Sequence, residues 1–183
     1  ISDLRGNGRT IPASAIDSYV IKCWYQAGRG IGDVRHKQLV PELLLKDDGL
    51  IRVDLQEKQN YLRVGPAGST KYILISGPDS KDLAQARPRD AKRLQPVDIP
   101  ADTCKQFWLT IQVPEDAAPG EYRGSIMLTA PGMPRLNLTL RLRVLPFKLV
   151  ESPLCYSIYY RGKLTPSGEG SISSEAKSEE QYL

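Results

Sequence analysis

The sequence is poor in most residues that would mark a catalytic or membrane-spanning chain. It has one histidine, His36. Triad chemistry holds a histidine between a nucleophile and an acid, and His36 stands in a charged loop with neither signature beside it. Ser14 and Ser18 lack the strained strand-to-helix context of a nucleophile elbow. The three cysteines, Cys23, Cys104 and Cys155, are far apart and show no CxxC spacing, so they give no support to a zinc site. They read as buried free thiols, and a single disulfide would leave one unpaired. No run approaches the ~18 consecutive apolar residues of a membrane span. Charge of one sign is also scarce: the net charge is +4, and lysines and arginines are scattered apart from a cluster over 81–93. A nucleic-acid binder shows a stronger basic footprint. No nucleic acid, membrane span, metal or cofactor is therefore expected.

Motifs that resemble chemistry are weak. The stretch GRGIGD at 28–33 follows a strand but misses the P-loop spacing, and no helical pattern follows it, as a dinucleotide fingerprint requires. Hydrolytic work with two carboxylates needs an acid and a base or nucleophile at fixed separation. The adjacent pairs are Asp47 with Asp48 and Glu115 with Asp116. Both lie in turn sequences between strands, where acids are expected to be solvated surface groups. Asn137-Leu138-Thr139 matches the glycosylation sequon, with Asn137 on the outward side of a strand.

What the chain has is alternation of period two. Strands are predicted over 19–26, 38–45, 51–56, 61–65, 71–76, 105–113, 121–130 and 135–145, separated by turns rich in Gly, Pro, Asn and Asp. Pro41 cannot donate to a ladder, so 38–45 is expected at an edge or bulge. In 105–113, Phe107, Leu109, Ile111 and Val113 share one face; in 121–130, Tyr122, Ile126 and Leu128 do; in 135–145, Leu136 through Val144 do at every second position. One apolar and one polar face per strand means a sheet buried on one side. The fold class is all-β, a two-sheet antiparallel β-sandwich with a C-terminal linker and a nascent helix. Residues 106–128 are read as a hairpin closed by the connection PEDAAPG. The proline-rich stretch 77–101 reads as a connector with a short helical turn near 80–86. The sandwich is assigned to 1–150. Residues 151–183 are assigned to an aromatic run at 156–164, a Gly/Ser-rich linker at 166–174 and a helix opening at Ser178, taken as the start of a following domain.

Two aromatics break the polar faces. Trp24 shares a face with Val20, Lys22 and Gln26, and Trp108 with Gln106, Thr110 and Gln112. Such a residue marks an interface or a platform for a sugar ring. With Tyr25 and the loop residues Arg29, Asp33 and His36, they are the candidate interface or sugar-contact residues.

One stretch carries a family resemblance. FWLTIQVPEDAAPGEYRGSIML, followed by LNLTLRLRVLPFKL, resembles the β-sandwich domain that precedes the catalytic barrel in bacterial glycoside hydrolases related to the family 123 N-acetyl-β-galactosaminidases. The matching residues are Trp108, Val113, Pro114, Ala118, Pro119, Gly120, Tyr122, Gly124, Val144, Phe147 and Leu149, with the strongest signal over 104–149. VPELLL at 40–45 is similar to an earlier segment of such domains. The resemblance implies a non-catalytic domain of a larger carbohydrate-active enzyme, with the catalytic acids in a C-terminal catalytic domain of the same polypeptide. It also implies glycans as contacts and a periplasmic or extracellular setting. An independent carbohydrate-binding module and an adhesive or structural domain remain as alternatives.

Overall fold

In a computed structural model of the chain, residues 1–27, 35–65, 69–75, 88–150, 152–155, 157, 162–167 and 176–182 are described. The glycine-rich stretch 28–33, the helical turn expected near 80–86, and most of the aromatic run and of the linker lie outside them. The described residues form β1 (Leu4–Gly6), β2 (Arg9–Ile11), β3 (Ile16–Ala27), β4 (Lys37–Leu45), β5 (Ile51–Asp54), β6 (Gln59–Arg63), β7 (Tyr72–Leu74), β8 (Phe107–Ile111), β9 (Gly120–Leu128), β10 (Leu136–Val144), β11 (Lys163–Leu164) and β12 (Ala176–Lys177). A helical turn, α1 (Glu179–Tyr182), places Glu179 and Glu180 in its first turn, where the helix N-terminus favours acids. The fold is all-β, and its sheets are antiparallel apart from the short parallel pair β11–β12. Each strand predicted from alternation up to residue 145 is present.

The chain divides into two compact units, one of residues 1–18 and 109–155, the other of residues 19–108 and 156–183. The first unit is built on the sheet β10-β9-β1-β2. β9 and β10 pair without interruption from Gly120↔Val144 to Leu128↔Leu136. Leu4, Ile11, Ile16 and the fully buried Tyr122 form its core, with Ile111, Ala117, Leu140, Leu142 and Val144 packed around them. The β1–β2 hairpin was not read from the sequence, yet it carries the strongest short hairpin signal, Asn-Gly. Asn7 and Gly8 sit at φ 49° and 70°, the left-handed values that a two-residue turn between twisted strands requires.

In the second unit, the sheet β4-β3-β8 and the sheet β5-β6-β7 enclose a core of Val20, Leu45, Leu50, Ile51, Leu62 and Ile73. Two antiparallel sheets over one apolar layer are a β-sandwich. β4 takes the edge position expected from Pro41. Its register with β3 jumps from Lys22↔Leu43 to Cys23↔Pro41, so Glu42 is the extra residue of a bulge.

Three expectations change. Residues 106–128 are not a hairpin: β8 pairs in the sheet of β3, whereas β9 pairs with β10 and β1. The physical cause is in the connection. Tyr122 Oη donates to the Ala118 carbonyl at 2.9 Å and Asn7 Nδ2 donates to the Pro119 carbonyl at 2.5 Å. These bonds fold 114–119 toward the β1–β2 turn and deliver β9 to β1. The apolar face of the stretch is also covered only in part: Ile111 and Tyr122 pack together, while Phe107, Val113 and Leu128 are exposed. The cysteines are free, as read, but exposed rather than buried. Cys23 lies on the face of β3 opposite Val20, and the other two stand outside strands.

Gly6 and Gly8 test the first unit. A Cβ on Gly6 would overlap the Glu121 carbonyl oxygen and meet Tyr122 Cα at 3.0 Å, whereas one on Gly8 meets nothing. Backbone cannot yield as a side chain can. Gly6→Ala is expected to cost about 2 kcal/mol or more, a fall in Tm of roughly 4–8 °C. Gly8→Ala should cost only the left-handed strain of about 1 kcal/mol. Equal Tm values in thermal melts would show that β1 does not lie this close to β9.

Candidate functional surface

The candidates on β3 are positioned by the bulge in β4. Val20, Lys22, Trp24 and Gln26 alternate onto one face of β3, and Val20 is fully buried. This face, read from the sequence as polar, is therefore the core side of its sheet. The bulge turns Glu42 toward it. Glu42 Oε2 accepts from Trp24 Nε1 at 2.8 Å and from Gln26 Nε2 at 2.7 Å, so one carboxylate oxygen orients both side chains. Trp24 is half-buried.

Tyr25 points to the other face of β3, and its backbone meets a different partner. Asn60 Oδ1 accepts from the Tyr25 N–H at 2.9 Å, and Asn60 Nδ2 donates to the Tyr25 carbonyl at 2.7 Å. The buried amide thus supplies two bonds that a neighbouring strand would otherwise make. Tyr25 Oη reaches the Leu55 carbonyl at 3.4 Å. Lys37, at the start of β4, donates to the Lys58 carbonyl at 2.9 Å and to Gln59 Oε1 at 3.1 Å.

Trp108 lies elsewhere on the sheet. The Ile21 N–H donates to the Gln106 carbonyl at 2.8 Å, which aligns Gln106, and with it Trp108, with the Ile21 and Tyr25 face of β3. Trp24 and Trp108 are on opposite faces and do not form one platform. Trp108 is 51% exposed. His36 is exposed ahead of β4. Arg29 and Asp33 lie outside the described residues. The structure brings together Trp24, Gln26 and Glu42; sequence reasoning missed Glu42, although Pro41 had marked the bulge that places it.

Asp47 and Asp48, expected as solvated turn acids, are held instead in an ionic network. Asp47 Oδ2 meets Arg63 Nη2 at 2.7 Å with both side chains largely buried, and Asp47 Oδ1 accepts from the Gly49 N–H at 2.9 Å. Asp48 takes Lys22 Nζ at 3.1 Å and Lys105 Nζ at 2.7 Å. Asp90 accepts from the backbone N–H groups of Lys46 at 2.6 Å and Asp47 at 2.9 Å. The hydrogen bond from Arg63 holds the Asp47 carboxyl below its usual value and raises the Arg63 guanidinium in turn. Burial pushes Lys22 down, against the opposing pull of Asp48. Asp116, in the other acidic doublet, sits on an exposed loop 3.7 Å from Arg9. Among the described residues no group of three or more His, Cys, Asp or Glu is placed to hold a metal, and no helix is long and apolar enough to cross a membrane.

Comparison with protein families matches residues 69–130 to the glycoside hydrolase 123 N-terminal domain. The matched stretch contains Trp108, Pro114, Pro119, Gly120, Tyr122 and Gly124, and so most of the motif that carried the resemblance. It contains β7, β8 and β9 but not Trp24. Comparison with curated proteins and with solved structures gave no significant match.

The network has unequal expectations at its two ends. Arg63→Met strands the Asp47 carboxylate and should cost about 3–5 kcal/mol; Lys22→Met leaves Asp48 paired with Lys105 and should cost less, about 1 kcal/mol, for the lost bond to the Asp48 carbonyl. Because the Asp47 pKa is lowered on folding, its contribution is present above the unfolded value of ~4 and is lost as pH falls through the lower folded value. Acid unfolding followed by circular dichroism should lose part of that pH dependence in Asp47→Asn. Equal costs at Arg63 and Lys22 would contradict the network.

Proposed function

We propose that the chain is a non-catalytic β-sandwich region of a larger carbohydrate-active enzyme, which packs against a glycoside hydrolase barrel and shapes one wall of its entrance. The observation that carries this reading is the match of 69–130 to the glycoside hydrolase 123 N-terminal domain. The state of the acids supports it: Asp47 and Asp48 hold the second unit together rather than facing a cleft.

Large apolar side chains in water support a packing role. Phe107 and Trp108 are exposed within the matched stretch. In the segment after β10, Phe147 is 63%, Leu149 91% and Val150 88% exposed. Large apolar side chains exposed in this way favour an interface. The catalytic domain of the same polypeptide is the proposed partner, and the loop carrying Arg29, Asp33 and His36 the proposed glycan contact. A periplasmic or extracellular setting is proposed on the family match alone. The exposure of Trp108 also favours a second reading, a module that binds glycans by itself.

The test is differential. Phe147→Asp and Leu149→Asp should leave the stability of residues 1–183 within about 0.5 kcal/mol of the parent, as exposed substitutions do. In the full gene product the same changes should lower the melting temperature and raise the KM for the glycoside. Equal effects, or none, in both settings would reject the packing role. Calorimetry of residues 1–183 against neutral oligosaccharides separates the second reading, since saturable binding lost on Trp108→Ala would establish it.

A further inference from the structure

The outer face of the first unit's sheet carries a row of like charges that folding does not explain. Arg5 on β1 stands opposite Arg123 on β9, and Arg123 stands opposite Arg141 on β10. Residues directly opposite on antiparallel strands project to the same face. Three guanidinium groups therefore lie side by side, on backbones about 4.8 Å apart from strand to strand. Arg143 extends the row along β10, two residues beyond Arg141 and so on the same face. All four arginines are exposed.

Little on that face neutralises them. Glu121 bonds Arg123 Nε at 2.8 Å and stands opposite Arg143. Asp3 is nearby, but its Oδ1 accepts from the Ala13 N–H at 2.9 Å. Like charges directly opposite on a sheet are destabilising, so the row is tolerated at a cost to the fold. Beside it Arg5 and Arg123 line a shallow recess of about 500 Å³ with Ser2, Asp3, Gly124 and Ser125. The arrangement offers planar, fork-shaped donors for anions and hydroxyls next to them.

We propose that this face binds a linear anionic glycan, with the carboxylate or sulfate groups of the chain on Arg5, Arg123, Arg141 and Arg143. Glycan is preferred to nucleic acid because the paired strands put Glu121, Ser125, Met127, Asn137 and Thr139 beside the arginines and no aromatic ring, and single-stranded nucleic acid is held by base stacking on aromatics. The choice of glycan among anions rests on the carbohydrate-active reading above; the cationic row itself does not.

The test uses residues 1–183 with four probes of equal length: a sulfated glycosaminoglycan oligosaccharide, a polyuronate, a neutral glucan and single-stranded DNA. Binding is measured by calorimetry at two salt concentrations, and Tm is read in parallel. One or both anionic glycans should bind and weaken as salt rises, and the neutral glucan should not bind. Arg5→Gln and Arg141→Gln should each weaken binding about fivefold or more while leaving Tm unchanged or raised, because each relieves a like-charge contact. A structural role would lower Tm instead. The proposal falls if neither anionic glycan binds at low salt, if the two substitutions leave affinity unchanged or lower Tm, or if the DNA binds as tightly as the glycans. Glycan binding with no effect of the Phe147 and Leu149 variants on the full gene product would reject the packing role and leave this face standing; the reverse pattern would do the opposite.

Discussion

The second unit depends on where one carboxylate sits. Asp47 follows β4, caps the tight turn into β5 through the Gly49 N–H, and pairs with Arg63 at the end of β6. A single residue thus ties the last strand of one sheet to the middle strand of the other. Its neighbour Asp48 repeats the device toward β3 and the segment leading into β8, through Lys22 and Lys105. Burying these charges costs desolvation, which the hydrogen bonds of the network offset, although Arg63 Nε is left without a partner. The turn is accordingly fixed from outside as well: Asp90 binds the backbone N–H groups of Lys46 and Asp47, and Tyr72 Oη binds the Gly49 carbonyl at 2.8 Å.

The strands were legible in the sequence because alternation reports which side chains share a face, and a half-buried sheet enforces it. Which strand pairs with which was not legible. PEDAAPG between two alternating runs looks like a hairpin connection, yet tertiary bonds at Tyr122 and Asn7 send β9 to another sheet. Burial was misread for the same reason. Alternation separates the Val20 and Trp24 face from the Tyr25 face but does not say which of them the opposing sheet will cover, and Lys22, Trp24 and Gln26 made the covered face look polar. Asp47 and Asp48 read as turn acids because their cationic partners lie 16 to 57 residues away. The Arg5, Arg123 and Arg141 row is invisible for a like reason: it exists only through register.

The candidate surface divides along the same line. Trp24 was named from its residue type, but its hydrogen bond to Glu42 depends on the bulge at Pro41, and that bond makes it part of the sandwich edge. Trp108 remains an exposed aromatic within the stretch that matches the glycoside hydrolase 123 N-terminal domain. Asp47 and Asp48 are engaged in holding the turn at 47–50, while Trp108, Phe147 and the arginines of β1, β9 and β10 face outward.

The most direct measurement is turnover of a panel of aryl glycosides by purified residues 1–183, set beside the full gene product under the same conditions. An accessory role requires no turnover above the uncatalysed rate from residues 1–183 and measurable hydrolysis from the full product. Hydrolysis by residues 1–183 alone, abolished by substitution of any of its own carboxylates, would contradict the account.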